Sequence, residues 1–163
     1  MNKTILEKLR PLVGKKCCRA RIGDSRSLSL GFGRRIRHGN PKLLDKFYGE
    51  WEIGTYYCAW RVRKKNTILL AKNDHEEKEG ELDERLQRIN FGRIRSIDQT
   101  TRIDVRVSFE DGIFVEFLAT ISDDDEYFHV FGPDNFHIDL SRNGKWTVSK
   151  SNEPYFQTAA TAT

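Results

Sequence analysis

The chain has 163 residues with 37% hydrophobic, 11% aromatic and 32% charged side chains, enough apolar material for a single hydrophobic core. No run approaches the roughly 18 consecutive apolar residues of a spanning helix, and the start, Met1-Asn2-Lys3-Thr4, is unlike a signal-peptide core. The net charge of +4 hides an asymmetry: residues 1–72 hold 18 Lys/Arg against 5 Asp/Glu, a balance of +13, and residues 73–163 hold 10 against 19, a balance of −9.

In chain order, Thr4-x-x-Glu7 has capping-box spacing, and Ile5, Leu6, Leu9 and Leu12 lie near one helical face before Pro11 and Gly14, which predicts a short N-terminal helix. Strict alternation over Ser27–Phe32 and Arg102–Phe109 predicts strands with one buried face. Asp111-Gly112 and Asn143-Gly144 sit between apolar strand patterns and predict tight hairpins. Between the strands, Asp74-x-x-Glu77 followed by Leu82, Leu86 and Ile89 predicts a helix over about 75–89, firmest over 81–89. From Glu153 onward no apolar period survives, and residues 153–163 read as a flexible tail.

An offset of 76–78 residues brings the halves into register. Gly14 falls on Gly92; Leu28, Leu30 and Phe32 on Val105, Val107 and Phe109; Trp51 on Tyr127; Trp60, Val62, Ile68 and Leu70 on Ile138, Leu140, Trp146 and Val148. The fold class expected is therefore α+β, mostly antiparallel sheet, as one unit over residues 1–152. It comprises two related β-meander halves, about 14–72 and 92–150, sharing a core of Phe32, Trp60, Val107, Phe109, Phe117 and Trp146.

Three cysteines, Cys17, Cys18 and Cys58, with no Cys-x-x-Cys, argue against a disulfide framework or zinc ribbon and for a reducing cytoplasm. No Gly-x-Ser-x-Gly or P-loop ending occurs, so no catalytic residue and no cofactor is assigned. Asp124, Glu126, His129 and His137 are the only metal-ligand candidates, in a spacing that matches no standard signature; a metal-dependent enzyme built on them is the third-ranked reading.

Recognition remains. The basic patch Arg34, Arg35, Arg37, His38 and Lys42 suits an acidic partner, a nucleic acid or a second copy of the chain. The acidic strip Asp123, Asp124, Asp125 and Glu126 suits a basic protein such as a nuclease toxin. In Glu50–Arg61, alternation buries Trp51 with Ile53 and Cys58 with Trp60 and Val62, leaving one or both of Tyr56 and Tyr57, the candidate aromatic anchors, exposed.

Gly49-Glu50-Trp51-Glu52-Ile53 with Cys58-Ala59-Trp60-Arg61, Ile121-Ser122-Asp123-Asp124-Asp125-Glu126-Tyr127 and Asn143-Gly144-Lys145-Trp146 resemble segments of small, largely uncharacterised bacterial β-rich proteins of immunity-protein type. The resemblance spans about residues 12–150, rests on structural motifs and transfers no functional residue. With the charge split it implies an immunity- or antitoxin-like protein that blocks a partner; a nucleic-acid-binding module using the basic half is the alternative.

Overall fold

The N-terminal helix α1, Lys3–Leu9, is capped by Asn2, whose side chain accepts from the Ile5 amide at 2.9 Å. The expected Thr4 cap is thus displaced by two residues: the helix begins ahead of Thr4, which sits inside its first turn, and Asn2 takes one of the orphan amides. Ile5, Leu9 and Leu12 are buried, whereas Leu6 faces outward. The computed structural model describes residues 1–39, 45–74, 78–120 and 126–152, with the side chains of Glu79 and Glu126 left out; the tail from Glu153 lies outside them.

Among the described residues eleven strands follow: β1 Cys17–Ile22, β2 Leu28–Arg37, β3 Phe47–Thr55, β4 Ala59–Lys64, β5 Thr67–Ala71, β6 Ile94–Gln99, β7 Val105–Phe109, β8 Ile113–Leu118, β9 Glu126–Phe131, β10 Phe136–Ser141 and β11 Trp146–Lys150. They form two antiparallel sheets, ordered β1-β2-β3-β9-β10-β11 and β5-β4-β8-β7-β6. The α+β class with a short N-terminal helix is as the patterning predicts.

Helix α2, Glu79–Gln87, lies between β5 and β6, with Leu82 and Leu86 fully buried; each contributes roughly 2 kcal/mol of transfer free energy. Residues 75–77 are outside the described set, and Asp74, expected to start this helix, accepts from the Ala71 amide at 3.1 Å to close the turn after β5. Asp83 ties the helix to β1 by accepting from the Ile22 amide at 2.7 Å.

The strand expected from Arg102 begins only at Val105. The Thr101 hydroxyl accepts from the Ile103 and Asp104 amides, and Asp104 accepts from the Ala119 amide at 2.8 Å, so residues 101–104 form a side-chain-locked turn. Both predicted hairpins form. Asp111 and Gly112 take φ of 58° and 69°, whereas at the second turn Gly144 takes φ 77° and the Asn143 carboxamide oxygen accepts from the Lys145 amide at 3.0 Å.

Each half contributes three meandering strands to one sheet and then crosses to extend the other: β1-β2-β3 then β4-β5, and β6-β7-β8 then β9-β10-β11. The halves meet where the sequence aligned them. The Phe32 and Phe109 rings stack at 6.0 Å, and backbone N–H groups donate from Gly14 to the Ile94 carbonyl, from Ile94 to that of Lys15 and from Cys17 to that of Gly92. After β2 and β7, however, the constant offset is one strand out of step. The first half spans residues 38–46 between these strands, where the second half turns at residues 110–112, so by sheet position β3 corresponds to β8 and β4 to β9. One hydrophobic cluster includes residues of both halves, with Phe32, Trp60, Val107, Phe109 and Phe117 buried in it and Trp146 half-buried against it.

Candidate functional site

Antiparallel pairing fixes where the two crossovers between sheets lie. β3 pairs with β9, Gly54 facing His129, and β4 pairs with β8, Ala59 facing Leu118. The connections β3–β4 and β8–β9 therefore leave from the same end of the sheets, and the Ala59 amide donates to the Thr120 hydroxyl across them at 3.3 Å.

The first crossover is the Tyr56-Tyr57 turn, and its geometry is locked from beneath. The Thr55 hydroxyl accepts from the Cys58 amide at 3.2 Å, the Cys58 thiol donates to the Tyr127 carbonyl at 2.9 Å, and the Lys72 ammonium donates to the Tyr57 carbonyl at 2.7 Å. Thr55 and Cys58 are fully buried, which turns Tyr56 and Tyr57 outward at 46% and 53% exposure. Burial pushes the Cys58 thiol up to about 11 and the Lys72 ammonium down from its ordinary value.

The second crossover carries the acidic strip. Asp123, Asp124 and Asp125 lie outside the described residues; Glu126 opens β9 opposite Ser141, and its side chain is not described. The described chain on either side, Thr120 and Tyr127, is bonded to Ala59 and Cys58, the residues that close the tyrosine turn.

His129 and His137 share one face of the six-stranded sheet, because His129 pairs with Asp139 and His137 with Phe131. The Phe131 ring contacts both imidazoles, at 5.0 and 4.7 Å, and His137 Nδ1 lies 3.0 Å from the Ser149 hydroxyl. Among the described residues no group of three or more His, Cys, Asp or Glu is placed to hold a metal ion; Asp124 is outside that set.

The same face continues across β3 to β1 as a polar network that sequence reasoning missed. Glu52 accepts from the Ser29 hydroxyl at 2.6 Å, the Gly49 amide at 2.6 Å and Arg19 at 3.1 Å. Arg19 and Arg21 both pair with Asp45, at 2.6 and 2.5 Å, and Arg21 reaches Asp83 at 3.1 Å. Above this network lies a groove of about 420 Å³, whose lining includes Arg19, Ser29, Tyr48, Glu52, Tyr56 and His129. Gly54 lets the His129 ring close over β3, since a Cβ there would stand 2.9 Å from His129 Nε2 and 2.4 Å from the Leu28 carbonyl oxygen.

The basic patch sits elsewhere. β1 pairs with β2 only as far as Phe32, so Arg34–Arg37 extend past it as a two-stranded ribbon against Phe47–Gly49. Arg34, Arg35 and Arg37 are exposed, Arg35 lies 4.4 Å over the Phe47 ring, and His38 stacks on Tyr48 at 4.3 Å. Lys42 is outside the described residues. Phe47 and Thr55 are opposite ends of β3, so the ribbon and the tyrosine turn stand about 27 Å apart at about 3.4 Å per residue. The structure thus brings the tyrosine turn beside Thr120 and Tyr127, the described residues that bracket the acidic run in sequence, and leaves Arg34–His38 at the far end. Part of the charge split is neutralised internally: Arg21, Arg61 and Arg63 of the first half pair with Asp83 and Glu116 of the second.

No protein-family model matches this chain, and no curated protein or solved structure matches it either.

Proposed function

We propose that this is a cytoplasmic protein-binding protein of immunity or antitoxin type, which blocks a basic partner protein through the end of the sheets that carries Tyr56 and Tyr57. The carrying observation is the locked turn: two exposed tyrosines on a backbone held by Thr55, Cys58 and Lys72. Tyrosines on a rigid support contribute contact area at low entropic cost, which is what interface anchors need. The acidic run in the neighbouring crossover supplies charge of the sign that steers a basic partner and rejects acidic ones. The sequence resemblance to immunity-type proteins points the same way.

The test is affinity capture from the native host with wild-type protein and with the double variant Tyr56→Ala, Tyr57→Ala. The wild type retains a basic protein through nuclease treatment, and the variant binds it about 100-fold more weakly, as expected when two anchors are truncated. Equal recovery by both proteins contradicts the reading.

The projecting ribbon favours a second reading, nucleic-acid binding, because Arg34, Arg35 and Arg37 are exposed beside Phe47 and Tyr48. Filter binding separates the two. RNA or DNA affinity that falls steeply with salt and disappears on replacing these three arginines supports the second reading; salt-insensitive background retention removes it.

A further inference from the structure

The outer face of the five-stranded sheet carries an arginine cluster that the proposed interface does not use. Glu116, on the central strand β8, is 4% exposed. Arg61 on β4 and Arg106 on β7 stand directly opposite it on either side, and Arg63 lies one step along β4 on the same face. Its Oε2 accepts from Arg61 Nε at 2.6 Å and lies 3.2 Å from Arg63 Nε. Its Oε1 accepts from Arg106 Nε at 3.0 Å and Arg63 Nη2 at 3.2 Å.

Three guanidiniums on one carboxylate leave two positive charges in excess. Each nitrogen of Arg63 has a partner, since Nη1 donates to the Lys65 carbonyl, and its side chain is 19% exposed. Arg61 binds Glu116 through Nε alone and Arg106 through Nε and Nη2; their other N–H groups meet no acceptor among the described residues, and the two side chains are 39% and 35% exposed. The Phe114 ring beneath Arg63 and Arg106, at 4.5 and 5.7 Å, limits how those guanidiniums can turn. Asp98, opposite Arg106 on β6 and bonded to the Ser96 hydroxyl at 2.6 Å, makes the Arg61 side the more positive.

We infer that Arg61 and Arg106, oriented by Glu116, form a receiving site for a phosphate monoester dianion. The ligand's charge is opposite in sign to the excess, which lies toward Arg61, and guanidinium N–H pairs match its oxygens. Glu116 holds the cations in place before binding, so little side-chain freedom is lost when the ligand arrives. The two sources of such a group are a phosphorylated side chain and a mononucleotide.

The experiment is an NMR titration of the full chain with inorganic phosphate at constant ionic strength, with chloride as the control, reading the arginine Nε–H signals and the amides of β4, β7 and β8. Saturable shifts centred on Arg61 and Arg106 are expected, with affinity reduced at least tenfold in Arg61→Gln and in Arg106→Gln and unchanged in Arg35→Gln. Parallel titrations with phosphoserine and adenosine monophosphate identify the source by which binds more tightly than phosphate itself. Shifts reproduced by chloride, acetate binding as tightly as phosphate, or an Arg61→Gln protein of unchanged affinity would overturn the inference. Arg106→Gln provides the same reading should Arg61→Gln fail to fold.

Discussion

The two outer sheet faces descend from equivalent strand paths and use charge in opposite ways. On the six-stranded sheet, Arg19 and Arg21 meet Asp45, Glu52 and Asp83, each cation reaching two carboxylates at low exposure. On the five-stranded sheet, Arg61, Arg63 and Arg106 share one carboxylate among the described residues, that of Glu116. Cations that each bridge two carboxylates close a network and become part of the fold. Unmatched charge, held by one carboxylate and left half-exposed, remains available to something outside the molecule. The +13 and −9 of the two halves are therefore not a direct map of the binding surface.

That contrast breaks most visibly at Glu52. Glu52→Ala removes at once the acceptor shared by Arg19, the Ser29 hydroxyl and the Gly49 amide; Arg19 keeps Asp45, and losing the shared acceptor of this partly buried set costs about 3 kcal/mol. Urea unfolding measures it, and a loss below about 1 kcal/mol would show that the network is not closed.

Glu116→Gln is the corresponding cut on the other face, expected at about 2 kcal/mol because the arginines it releases are partly solvated. Burial by itself raises the Glu116 carboxyl, but hydrogen bonds and charge from Arg61 and Arg63 outweigh it, and the net shift is below the ordinary 4.5. With the folded value depressed, its stabilisation is present above pH 4.5 and is lost as the pH falls through the folded value. Acid titration of stability in Glu116→Gln should be flatter than wild type below pH 4.5; superimposable curves would contradict the assignment.

At the alkaline end the six-stranded sheet has its own marker. Burial pushes the Cys17 thiol from 9.0 to about 12, so it ionises in the unfolded chain first. The folded state then loses stability as the pH rises from 9.0 to about 12, a decline that Cys17→Ala should reduce; an unchanged slope would mean the thiol is more accessible than its surroundings imply.

The smallest effect sharpens the comparison. Arg61→Gln leaves Arg63 and Arg106 on Glu116 and should cost under about 1 kcal/mol in thermal unfolding, as exposed ion pairs do. A cost as large as that of Glu52→Ala would make the five-stranded face a structural network like its counterpart.

What the sequence disclosed depended on range. Leu28-Leu30-Phe32 and Val105-Val107-Phe109 alternate because each strand buries one side, and that pattern is local. Alternation also turned one or both of Tyr56 and Tyr57 outward, and the turn held by Thr55, Cys58 and Lys72 exposes both; the Asp111-Gly112 reversal was legible as a dipeptide. Glu116 joins Arg61 across 55 positions and Arg21 joins Asp83 across 62, pairings set by sheet order, which no window of sequence contains. A signal did exist: Glu116 breaks an otherwise apolar strand, and Arg61-x-Arg63 puts two cations on one side of another. The halves aligned through β2 and β7, then slipped by one strand, because core spacing alone does not register that residues 38–46 separate β2 from β3 where residues 110–112 separate β7 from β8.

The central claim is that a partner protein seats on the tyrosine turn. A photo-crosslinking residue placed at position 57 in the native host should give a covalent adduct with a basic protein, and the same residue at position 36, on the basic ribbon, should not. An adduct confined to position 36 and sensitive to nuclease, with none at 57, would contradict it and leave the ribbon as the binding surface.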